Sequence, residues 1–123
     1  MNECKEESRI LMEALGLKHE PVAVSLIKKG GELPEGYARP EKSLRHCQAI
    51  MRARNGESLV VQADKQACPV GASSLGLVPT PEKVSSGEFH HHMGMYAEQS
   101  AARATMEQRP ALEPESMQAT AVA

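Results

Sequence analysis

"PVAVSLI", residues Pro21–Ile27, is the stretch that decides the fold class. Aliphatic and β-branched residues crowd between a proline and the "KKGG" that follows, and such a run reads as a buried strand. Upstream, "ECKEESRILMEAL" (3–15) places Ile10, Leu11, Ala14 and Leu15 at helical spacing, with Gly16 as the stop. Cys4 shares a face of that helix with Leu11 and Leu15. Downstream, "KKGGELPEGYARP" (28–40) is punctuated as a loop. Ser43 then reads as the N-cap of a helix running to about Arg54, with Leu44, Cys47, Ile50 and Met51 as its apolar stripe and Asn55-Gly56 as its end. "SLVVQA" (58–63) is a second strand, and a short helix follows from Pro69 to about Leu75.

Ser85 and Glu88 stand at capping-box spacing, so a helix is expected from Ser86 to Gln108, with Gly94 as its weak point and Pro110 as its limit. Gly94, Ala97, Ala101 and Ala104 form a ridge of small residues along it. Residues 111–123 read as a mostly disordered tail, although "ATAVA" has the makings of a strand. The expected architecture is one small α/β or α+β domain over residues 1–110, a short sheet of a few strands packed by three to four helices.

Composition narrows the function. The chain has 123 residues, one Phe, two Tyr and no Trp, so Leu, Val, Ile, Ala and Met must build a thin core. Met12, Met51, Met93 and Met106 are expected to fill its gaps. The net charge of −2 gives no basic footprint for nucleic acid, and there are no aromatic platforms for bases. No apolar run approaches the ~20 residues of a membrane helix. The N-terminus is charged and does not read as a signal peptide, and three cysteines make an odd count. Both features suit a reducing, cytoplasmic interior better than a disulfide framework.

The chemistry concentrates in "QACPVGASSLGL" (66–77). Pro69 suits the first position of a helix, which puts Cys68 at the N-cap with the free N–H groups of the first turn aimed at its sulfur. Gly71, Ala72, Ser73 and Ser74 leave room beside it. Against this stands the plain reading of a free cysteine as a small buried hydrophobe, and Cys47, on an apolar stripe, fits that better than Cys68. The chain has no CxxC pair, so any metal site must be assembled in space. His90-His91-His92 invites a ligand role, but neighbours on a helix point ~100° apart and cannot all reach one ion. Arg39, Arg45, Arg52, Arg54, Arg103 and Arg109 are spread too widely for an anion site and read as solvated. For thiol chemistry at Cys68 the available bases are His46 and the 90–92 triplet.

Four blocks carry a resemblance: "LGLKHEPVAVSLIKKG", "PEGYARPEKSLRHCQAIMRARNGES", "ACPVGASSLGL" and "SSGEFHHHMGMYAEQSAARATMEQRP". Together they resemble the N-terminal half of domain-of-unknown-function family 169, frequent in methanogenic archaea and other anaerobes. The resemblance implies matched cysteines at Cys47 and at Cys68, the latter within a block corresponding to Cys68-Pro69-Val70-Gly71, and a cysteine-ligated metal or iron–sulfur site. Completing it would require Cys4, a histidine such as His90 or His92, or a homodimer in which each copy supplies Cys47 and Cys68. Zinc is the alternative to a cluster. The function so implied is a redox- or oxygen-responsive accessory protein, not itself an enzyme, docking on a larger enzyme complex of anaerobic metabolism. Two alternatives compete with it: a thiol enzyme with Cys68 as nucleophile or redox group, and a metal-free binding module.

Overall fold

A computed structural model describes residues 2–123, with side chains from Cys4 onward. Its centre is a three-stranded antiparallel sheet. Strands β1 (Val24–Lys28) and β2 (Leu59–Gln62) flank β3 (Met117–Val122), giving the order β1-β3-β2. Around it, among the described residues, are α1 (Asn2–Leu15), α2 (His46–Arg54), α3 (Pro69–Ser74), α4 (Glu82–Ser85), α5 (Glu88–His92) and α6 (Gln99–Gln108). The class is α+β, with antiparallel strands and segregated helices.

The middle strand lies in the segment read from sequence as a mostly disordered tail, over the "ATAVA" that has the makings of a strand. Ala119, Thr120, Ala121 and Val122 are all buried. A strand covered on both faces need not alternate polar and apolar residues, and small side chains let layers close over it. Alanine is a weak strand former, so its position between two neighbours, and not its own preference, makes 117–122 a strand. On one face α2 packs over the sheet, joining Leu44, Ala49 and Ala53 to Leu59, Val61 and Val122. On the other, Val60, Ala119 and Ala121 meet Ile27, Leu33 and Tyr37.

Several expectations need correction. Pro21–Ile27 does contribute a strand, but β1 is an edge strand and is mostly exposed, with Val24 at 46% and Leu26 at 43%. Helix α2 begins at His46, with Arg45 and not Ser43 at the cap. Residues 44–67 explain this: Leu44 N–H donates to Lys65 O and Ala67 N–H donates to Leu44 O, a parallel bridge that keeps the chain extended. The packed side of α2 is Ala49 and Ala53; Cys47 and Met51 face solvent. The methionines are not core residues either, since Met93 is exposed and Met12 and Met106 are only half-buried.

The helix expected over 86–108 is broken. Residue 94 turns the chain, with Gly94 N–H donating to His91 O and Met95 N–H to His90 O, and α6 starts only at Gln99. The small-residue ridge is not the contact. Close approach occurs at Gly87, where a Cβ would lie 2.5 Å from both Arg103 N and Gln99 O, and Ala102 packs beneath it. Arg109 is not solvated: its guanidinium donates to Ser73 Oγ at 3.2 Å, to Thr80 Oγ1 at 2.8 Å and to Ser74 Oγ. That clamp ties the end of α6 to α3. Gly76, just past α3, is packed so tightly on the approach to β3 that a Cβ would meet Ser116 Oγ at 2.9 Å and Glu113 O at 3.0 Å.

Helix α1 forms as expected, yet its apolar residues are outside. Ile10, Leu11 and Leu15 are exposed, and Cys4 with them, while Ser8 and Met12 are its half-buried residues. Among the described residues no helix is long and apolar enough to cross a membrane.

Candidate functional site around Cys68

Cys68 occupies the N-cap of α3 in extended backbone geometry (φ −90°, ψ 114°), and Pro69 holds the first helical position. The N–H of Gly71 donates to Cys68 Sγ at 3.3 Å. The sulfur therefore takes one of the four donors that a helix start leaves unpaired. The local sequence expectation is met at each of these positions.

The same parallel bridge that delays α2 builds the rest of the site. It sets Leu44 beside Gln66, and two residues further along each segment come His46 and Cys68. Gly71 sits between them: a Cβ there would lie 3.8 Å from Cys68 Sγ and 3.8 Å from His46 Cβ. Of the two histidine sources weighed for Cys68, the chain brings up His46. His90 and His92 lie on α5, which packs against α4 and α6. There His90 is buried edge-on to Phe89 and Tyr96, and His92 is exposed.

Cys68 is half-buried, whereas Cys47 and Cys4 are exposed. The reading of Cys47 as the packed cysteine is thus reversed. Among the described residues, no group of three or more His, Cys, Asp or Glu side chains is gathered closely enough to hold a metal ion. A four-thiolate cluster therefore does not fit this chain's own donors. The pair His46 and Cys68 offers one nitrogen and one sulfur, and the other ligands would have to come from elsewhere.

The polar groups of this wall are incompletely paired. His46 Nδ1 is buried without a hydrogen-bond partner, as are Nε2 and Oε1 of Gln66. Each such atom costs on the order of 1–3 kcal/mol. Burial also pushes the pKa of His46 below its ordinary 6.5. The folded state thus favours the neutral ring. The stability this contributes is present above the unfolded pKa and is lost as pH falls from there through the lowered folded value.

Gly71 gives a direct handle on access. A methyl group placed there would make only ordinary contacts, the closest 3.6 Å to Cys68 Cβ. Gly71→Ala is expected to keep or raise stability, by up to ~1 kcal/mol from helix preference. It is also expected to slow alkylation of Cys68 several-fold, because the methyl would crowd the Cys68 side chain at 3.8 Å from its Sγ. Thermal melts and cysteine-resolved alkylation rates check the two halves separately.

Fold and site together define a small α+β domain with a sheet packed on both faces and a cysteine-capped helix whose Gly71 lies beside His46. The chain belongs to the DUF169 family, described as "Uncharacterised ArCR, COG2043", whose model matches residues 10–123. It is 34% identical over 117 residues to Uncharacterized protein MJ0308 of Methanocaldococcus jannaschii, an alignment covering 94% of this chain and 50% of that one. The chain thus spans about half the length of the curated relative it matches. No solved structure matches.

Proposed function

We propose that this domain is a redox- or oxygen-responsive accessory module whose responsive group is the Cys68 sulfur, served by His46. The observation that carries this reading is the placement of both side chains against Gly71, with His46 Nδ1 buried and unpartnered. A sulfur that accepts an N–H at a helix start reacts best as the thiolate. Its attack on a peroxide oxygen breaks the O–O bond, forms the S–O bond of a sulfenic acid and releases hydroxide, which takes up a proton as water. Loss of the Gly71 hydrogen bond, or a bulkier sulfur pressing on His46, would then alter the α2–α3 surface that a partner reads. The partner in this reading is a larger enzyme complex of anaerobic metabolism, and the exposed Ile10, Leu11 and Leu15 of α1 suit a docking role.

A metal-bound form is the second reading, favoured by the same orphaned imidazole nitrogen. One sulfur and one nitrogen suit zinc, or an iron–sulfur cluster with mixed ligands, once the remaining ligands are supplied from outside this chain. Anaerobically prepared protein distinguishes the two. With hydrogen peroxide and a sulfenic-acid trap, the adduct is expected at Cys68 and not at Cys4 or Cys47. With zinc and a chromophoric chelator, the metal reading requires competition that both Cys68→Ser and His46→Ala remove. Neither adduct nor zinc retention would leave Cys68 a packing residue and the chain a metal-free binding module.

A further inference from the structure

We propose that the free edge of β1 pairs antiparallel with the same edge of a second copy of this chain. The two outer strands of the sheet are treated differently. The outer side of β2 is covered by residue 38: Ala38 N–H donates to Ser58 O and Val60 N–H to Ala38 O. β1 lies at the other end of the sheet order. Ala23 and Ala123 exchange both of their hydrogen bonds, at 2.9 and 3.1 Å. This fixes the alternation along the strand: Ala23, Ser25 and Ile27 turn their peptide groups toward β3, and Val22, Val24 and Leu26 turn theirs outward. An exposed row of this kind is a template for another strand.

The side chains beside that row are apolar. Val24 and Leu26 pair with Val122 and Thr120, so they share the sheet face that α2 covers, but they remain 46% and 43% exposed. The flanking charges say which strand fits. Glu20 stands four residues before Val24 and Lys28 four residues after it, and both are exposed. A two-fold axis at Val24 sets Val24 against Val24 of the second copy, Leu26 against its Val22, and Lys28 against its Glu20. The ion pair forms twice, as an isologous contact requires. A strand with apolar residues at its centre and opposite charges at equal distances from it is complementary to itself. This inference stands apart from the chemistry of Cys68.

The test uses the full chain and two single variants, Lys28→Glu and Glu20→Lys, whose exposed positions leave the fold intact by circular dichroism. Sedimentation equilibrium is expected to show a concentration-dependent dimer of the unaltered chain. Each single variant brings like charges together twice and is expected to weaken the dimer about tenfold. Mixed together, the two variants restore every pair, and a heterodimer of unaltered strength is expected. A chain monomeric at every concentration would overturn the proposal, as when the edge is instead covered by chain such as the longer relative possesses. A dimer indifferent to both reversals, or single variants that fail to rescue each other, would also overturn it.

Discussion

Ending the chain at Ser116 is expected to abolish cooperative folding. The residues removed include the whole of β3, which is hydrogen-bonded to both other strands. Without it, β1 and β2 are left with no partner in the sheet. Val122 also leaves the main core cluster and Ala119 and Ala121 leave the second one. A buried valine alone is worth about 1.5–3 kcal/mol, and whole domains hold only about 5–15 kcal/mol. Losing a central strand exceeds that margin. The measurement is thermal melting by circular dichroism with amide dispersion by NMR. A truncated chain that still melts in a sharp transition would show that 111–123 is a tail after all.

The second large effect is expected at Gly87. This residue has φ +83°, and the atoms a new Cβ would strike, Arg103 N and Gln99 O, are backbone of α6 and cannot rotate away. Gly87→Ala should therefore cost both the left-handed penalty and overpacking, together roughly 3–4 kcal/mol. A fall in Tm of about 10–15 °C follows for a domain of this size. Gly30 supplies the control: its φ is +82°, but nothing lies within 4 Å of its Cβ position. Gly30→Ala should cost only the backbone penalty, ~1–2 kcal/mol. Equal losses for the two variants would mean that α5 and α6 are not packed as described.

The parts of this fold legible in the sequence are those held by local chemistry. Gly16 ends α1, Pro69 and Cys68 start α3, and Asn55-Gly56 ends α2, because each feature acts within a few residues. What stayed hidden depends on distant partners. β3 is a strand because two others enclose it. The start of α2 is set by a bridge to residues 65–67, which also brings His46 beside Gly71, while Cys47 is exposed. The helix expected over 86–108 rests on the Ser85/Glu88 capping-box spacing, with Gly94 as its weak point, and it is at Gly94 that it breaks. The seam that the break builds runs through Gly87, a glycine that simple periodicity passes over.

At the site, the cap was legible and the neighbour was not. "ACPVG" carries its own instruction for a sulfur at a helix start. Nothing in "SLRHC" marks His46 over the three histidines at 90–92, and only the pairing of the two extended segments selects it. The exposed cysteines show the same limit, since Cys4 and Cys47 both lie on helices whose apolar stripes predict burial.

Whether the Cys68 sulfur is activated by its cap and its histidine is decided by differential alkylation of the three cysteines. Anaerobic protein would be treated with iodoacetamide and each cysteine followed by mass spectrometry. Exposure alone ranks Cys4 and Cys47 ahead of the half-buried Cys68. The expected order is the reverse, with Cys68 reacting first and slowing in His46→Ala. Modification in order of exposure, with Cys68 last and unaffected by His46→Ala, would show that neither the cap nor the histidine activates it.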